Sequence, residues 1–213
     1  MVRPELADEA IRLGRLLVEL LPVPEPEALG LLALMLLQDS RRAARTSAGG
    51  DLVLLADQDR SRWDRARIAE GAALLERAVA SGQVGPYGLQ AAIAAAHAEA
   101  TTAGATDWAR IVGLYDLLAR AEPSPVVELN RAVAVAMRDG PASGLALVDA
   151  ILARGQLDGY HLAHATRADL LRRLGRTDDA LAAYRRALDL ARQEPQRRFI
   201  EQRLDELARG RRR

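Results

Sequence analysis

Apolar side chains recur at helical spacing along most of this chain, with polar stretches and prolines between the runs. Over residues 4–21 the positions Leu6, Ile11, Leu13, Leu17, Val18 and Leu21 form one such run, and Pro4 suits the first turn of a helix. The segment PVPEPE, residues 22–27, is a sharp connector. A second helix is predicted from Glu27 to about Ala44. Its centre, LGLLALMLL at residues 29–37, is apolar nearly all round, which marks an interior helix. It is too short for a membrane span. Residues 46–50 read as a turn and residues 51–56 (DLVLLA) as an extended stretch. A third helix follows DQDRSRWD, residues 57–64, and runs to about Ser81. Gly85-Pro86 then signals a turn.

From Tyr87 onward a repeated architecture is predicted. Helices over residues 87–102 and 106–120 are separated at Gly104, helices over 126–137 and 141–153 at Gly140-Pro141, and a final helix covers 194–208. Between them lies the clearest hairpin, residues 160–191. Ala168, Leu171 and Leu174 make a small-large-large face on its first helix, and Gly175 breaks the chain. Ala180, Tyr184 and Ala187 then put small, aromatic and small residues at turn spacing on its second. This hairpin resembles a tetratricopeptide repeat. Weaker echoes precede it: Arg131-Ala132 matches Arg167-Ala168 at an offset of 36, and Thr106-Asp107 with Ala109 matches Thr177-Asp178 with Ala180 at an offset of 71. One hairpin cannot bury its apolar face alone, so neighbouring hairpins are its stacking partners. The expected fold is all-α, a right-handed superhelix of about ten helices, with an N-terminal helical part over residues 1–81 and a tetratricopeptide-like part over 82–213.

Composition sharpens this picture. Apolar residues make up 49% of the chain but aromatics only 3%, so Ala, Leu and Val must fill the interior, which favours closely packed helices. Thirty basic residues face twenty-nine acidic ones, which leaves no global charge for a polyanion, and every basic residue is Arg. Cysteine is absent, which excludes disulfides and thiolate chemistry. The start, MVRPELADEAIRLG, is amphipathic and unlike a signal peptide, and a cytoplasmic location is expected. No nucleophile elbow, phosphate loop or dinucleotide fingerprint is present, and no enzymatic activity or cofactor is expected. The RGRRR end, residues 209–213, reads as a disordered, solvated terminus.

Three groups of residues are candidates for function. In DQDRSRWD, the charges of Asp57, Asp59, Arg60, Arg62 and Asp64 crowd a helix entrance around Trp63. They suit a partner-binding or inter-domain latch with Trp63 as apolar anchor. A helix cap, with Asp59 or Ser61 as the capping residue, is the competing account. Asn130, Arg131 and Arg167 lie on first helices of hairpins, which line the concave face of such solenoids, and could hold a carboxylate or acidic peptide. Tyr87, Gln90, His97, His161 and His164 outline a groove for a small ligand. His161 and His164 form HxxH on one helical face, but no neighbouring carboxylate or cysteine completes a metal site, so a packing role is expected.

The order of the motifs carries a broader resemblance. EAIRLGRLL, EALGLLALMLLQDSRRAAR, DLVLLADQDRSRWDRARIAEG, GPYGLQAAIAAAHA, TDWARIVGLYDLL, SPVVELNRAVAVA and YHLAHATRADLLRRLGR follow one another over nearly the whole chain. Together they resemble the C-terminal, tetratricopeptide-like extension of a group of extracytoplasmic-function RNA polymerase sigma factors. The two promoter-reading domains that precede this extension in that family are absent here. The resemblance therefore implies a regulatory part acting in transcription initiation, docking onto its own sigma core, onto polymerase or onto a partner protein. It implies no promoter recognition by this chain itself.

Overall fold

A computed structural model describes residues 4–23 and 25–211. The described residues form ten α-helices: α1 (Pro4–Leu20), α2 (Pro26–Asp39), α3 (Arg65–Ala80), α4 (Pro86–Glu99), α5 (Trp108–Ala121), α6 (Pro125–Asp139), α7 (Pro141–Ala153), α8 (His161–Arg173), α9 (Thr177–Leu190) and α10 (Glu194–Gly210). No strand occurs among them, so the chain is all-α as expected. No helix among the described residues is long and apolar enough to cross a membrane. The stretch 51–56, expected to be extended, instead leads into a 3-10 turn at Leu55–Asp57. Helix α2 also ends earlier than the pattern suggested. The Ser40 hydroxyl donates to the Leu37 carbonyl at 2.7 Å, and a 3-10 turn follows at Arg42–Ala44. Helix α10 continues through Gly210, past the predicted end, while the last two arginines of the RGRRR tail lie outside the described residues.

The chain divides into two compact units, Met1–Thr46 with Val53–Glu122, and Ser47–Leu52 with Pro123–Arg213. The boundary expected near Ser81 falls inside the first unit, because α4 packs on α2 and α3 and cannot be separated from them. The all-round apolar α2 is the centre of this unit and touches α1, α3 and α4. Leu29, Leu32, Ala33, Leu36 and Leu37 from α2 meet Ile11, Leu74, Leu75, Ala78, Ala91, Ala94, Ala95 and Ala98 in one core. The approach of α2 and α4 is set by backbone. A Cβ on Gly30 would lie 2.6 Å from the Gly88 amide nitrogen, inside any allowed contact. At the same crossing, Glu27 of α2 accepts from the Tyr87 and Gly88 amides at 3.0 and 3.2 Å, and so caps α4 from a neighbouring helix. Charges tie the other helices together: Asp8 of α1 pairs with Arg42 and Arg67, and Arg67 of α3 pairs with Asp39 of α2.

The second unit holds the hairpins α6–α7 and α8–α9, with α10 packed on α9. Its core draws on Leu129, Ala132 and Ala136, on Leu145, Val148 and Ile151, on Ala163, Ala168 and Leu171, and on Ala180, Tyr184 and Ala187, with Ile200 from α10. The matched pair Ala132/Ala168 is buried, as are Val135 and Leu171 at the same offset of 36, so that repeat register holds. Close helix approach again rests on a missing side chain: a Cβ on Gly144 would meet the Ala136 Cβ at 2.4 Å. The longer echo does not hold. Asp107 is the N-cap of α5, accepting from the Arg110 amide at 2.9 Å, whereas Thr177 is already the first residue of α9. The two helices start two residues out of step with the expected offset, which leaves Ala109 exposed where Ala180 is fully buried.

Candidate functional site

Within the first unit, the DQDRSRWD segment is a folded connector between α2 and α3. Asp59 accepts from the Ser61 amide and hydroxyl at 2.9 and 2.6 Å and caps the 3-10 turn at Arg60–Arg62. The cap of α3 is Asp64, which accepts from the Arg67 amide at 3.0 Å. Capping thus occurs as one account expected, but at α3 the capping residue is neither Asp59 nor Ser61. Asp57 ends the 3-10 turn at Leu55–Asp57, and Arg62 is exposed.

Arg60 and Trp63 point inward. Only 3% of Trp63 is exposed and it belongs to the core shared by α1 to α4. Trp63 is therefore not the surface anchor for a partner that the sequence suggested: a buried indole already spends its apolar area on its own unit. Arg60, 8% exposed, lies over the Trp63 ring with its guanidinium carbon 4.5 Å from the ring centroid. Its Nη1 donates to the carbonyls of His97 and Ala100 at 2.6 and 2.7 Å, satisfying the open C-terminus of α4. Arg41 approaches the same indole at 5.9 Å. Arg41 and Arg45 both donate to Gln38 Oε1, and Arg45 also donates to the Gln38 carbonyl at 2.7 Å. His97 meets the ring of Trp108 edge-on at 5.3 Å. The segment is a latch, but one that closes on its own unit.

The electrostatics here are one-sided. Burial first, then repulsion from Arg45 and Arg60, pushes Arg41 down to about 10. Burial, Arg41 and Arg60 push His97 down to about 4, so it is neutral at pH 7. Two nitrogens in this cluster, Trp63 Nε1 and His97 Nδ1, are buried without a hydrogen-bond partner.

The expected ligand groove is not gathered in one unit. Tyr87, Gln90 and His97 belong to the first unit, and His161 and His164 to the second. Tyr87 is exposed at the start of α4, while His97 is near its end beneath Trp108. His164 Nε2 lies 2.9 Å from the Asp158 carbonyl, and His161 packs edge-on against Tyr160 with Nε2 buried and unpartnered. No group of three or more His, Asp or Glu side chains able to hold a metal gathers among the described residues. In the second unit Asn130 is exposed on α6, but Arg167 turns to Asp149 of α7 at 2.6 Å and Arg131 is half-buried. Only Asn130 of these three shares the outward face of α6, together with Val126, Val133 and Met137, spaced four, three and four residues apart.

The surface that sequence reasoning missed is on α1. Ile11, Gly14 and Val18 face α2, with Gly14 set against Leu32 and Met35. Leu6, Ala10, Leu13, Leu17 and Leu20 form a second row at alternating four- and three-residue spacing, and all five are exposed, Leu6 at 62% and Leu20 at 71%. Leu16 on the same helix is exposed too. The signal was legible: α1 carries more apolar positions than one buried stripe can use.

The model of a family of unknown function, DUF6596, matches residues 1–79. An uncharacterised protein of Rhizobium meliloti (strain 1021) is 49% identical over 207 residues, which is 97% of this chain and 48% of that protein. No solved structure is significantly similar. The chain thus spans about half the length of the curated relative that it matches.

Proposed function

We propose that this chain is a regulatory protein-interaction domain that acts in bacterial transcription initiation, as part of an extracytoplasmic-function sigma factor or together with one. The observation that carries the reading is the outward leucine row of α1. Monomeric proteins rarely leave a row of large apolar side chains in water without a partner for it. The strict alternation of four and three residues is the spacing with which one helix seats another. The order of motifs along the chain supports the sigma-factor context. The matched relative, with about as much chain again, has room for a promoter-reading core. In this reading the partner is a helix of the sigma core or of polymerase, the domain works in the cytoplasm, and it performs no catalysis of its own.

The test is direct. The chain is titrated against the separated sigma core and against core polymerase by biolayer interferometry, as wild type and as Leu13→Glu/Leu17→Glu. Saturable binding to one of them is expected, weakened at least tenfold by the double variant, with the helical circular dichroism unchanged because both side chains are exposed. Absence of binding to both, or binding indifferent to the two substitutions, overturns the reading.

A further inference from the structure

We propose that the arginine cluster between α2 and α4 is a binding site for a phosphate group, with Arg41, Arg45 and Arg60 as its cations and Trp63 Nε1 and His97 Nδ1 as neutral partners. The argument starts from a missing counter-charge. Among the described residues no carboxylate is within ion-pair distance of these three guanidiniums, and their hydrogen bonds go to neutral acceptors: Gln38, and the carbonyls of His97 and Ala100. In the same unit Arg15 has Glu70 beside it and Arg67 has Asp39. Buried cations without anions are costly, and a fold that only needed helix caps would need one such charge at each helix end.

Capping accounts for part of the cluster. Arg60 satisfies the end of α4 and Arg45 the end of α2. It does not account for Arg41, which shares the Gln38 amide oxygen with Arg45 and adds a third positive charge within range of the other two. Nor does it account for the two orphan nitrogens. Trp63 is a pure donor, more than nine-tenths buried, and its ring lies against Arg60 and Arg41. His97, neutral and flanked by the same two arginines, has Nδ1 free to donate. Guanidinium forks and neutral N–H donors within one cluster match the several oxygens and the double charge of a phosphate better than the two oxygens and single charge of a carboxylate. Arg41, Arg45, His97 and Trp108 are each only partly covered. The proposal does not rest on the docking role of α1: the residues are different, and either can fail alone.

The experiment is thermal unfolding of the full chain at increasing inorganic phosphate, glycerol 3-phosphate, malonate or chloride, at matched ionic strength. Inorganic phosphate, glycerol 3-phosphate or both are expected to raise Tm saturably by about 2–4 °C beyond chloride. Inorganic phosphate assigns the free ion, and a response to the ester alone assigns a phosphate monoester. Arg41→Gln is expected to abolish the response and, in chloride, to melt no lower than wild type, since it removes a repelled charge from a partly exposed position. Coincidence of the phosphate, ester and chloride curves, an equal response to malonate, or a full response in Arg41→Gln each overturns the proposal. Should Arg41→Gln fail to fold, Arg45→Gln serves as the second variant, read by the same loss of response.

Discussion

At the scale of single residues, the centre of the first unit turns on what surrounds Trp63. Its ring is one of few aromatics in an alanine- and leucine-filled interior, and two guanidiniums lie against it. Burial first, and then the same two cations, act on His97. Its folded-state value of about 4 is below the 6.5 of an exposed imidazole, so the folded protein holds it neutral where the unfolded chain would protonate it. Above pH 6.5 neither state carries this charge and the contribution is flat. As pH falls from 6.5 towards 4, the unfolded state binds the extra proton and stability drops, by about 1–3 kcal/mol in all. Urea unfolding in chloride buffers across this range should show the decline in wild type and a much flatter profile in His97→Leu. An equal slope in both proteins would assign the decline to other groups. That Trp63 and His97 share the same two cations was not legible in the sequence, because Arg41, Arg60 and His97 are brought together only by the packing of α4 on α2.

At the scale of the helix, local rules and packing rules divide the work. Helix starts at Pro26, Pro86, Pro125 and Pro141 follow from proline's fixed φ and missing N–H, and were readable in advance. The early end of α2 was not: the Ser40 hydroxyl turns back on the Leu37 carbonyl and a 3-10 turn follows, with no proline or glycine in residues 38–44 to mark the break. Crossing distance was not legible either. Gly30→Ala places a methyl 2.6 Å from the Gly88 nitrogen, and since both are helix backbone neither can yield cheaply. It should destabilise the protein by about 1–3 kcal/mol. Gly113 on α5 has open space around its missing Cβ, so Gly113→Ala should stabilise by about 0.5–1 kcal/mol through helix propensity. Opposite signs in chemical denaturation are the expected outcome, and the same sign for both would refute the close crossing. The leucine row of α1 belongs to this scale too: a helical wheel shows two apolar faces, but only the fold reveals which one α2 covers.

At the scale of the whole molecule, two cores share no residues. One draws on Ile11 through Ala98, the other on Leu129 through Ile200. A fragment of residues 123–213 should therefore retain helical circular dichroism and melt cooperatively by itself. The contribution of residues 47–52 to the second unit includes an exposed pair, Arg198 with Asp51 at 3.6 Å, whose loss costs little. A fragment without a cooperative transition would refute the independence of the cores. The sequence alone determined that the chain is helical, roughly where each helix lies, and that α8 and α9 form a hairpin joined by alanines. Those properties depend on spacing, caps and small residues that act over a turn or two. Tertiary structure alone decided that α4 joins the first unit and that Trp63 is interior. It also decided that Arg167 turns to Asp149, and that three arginines cluster without an acid among the described residues. Each of these depends on which of several comparable apolar faces finds a partner distant in the chain, and periodicity carries no information about that choice.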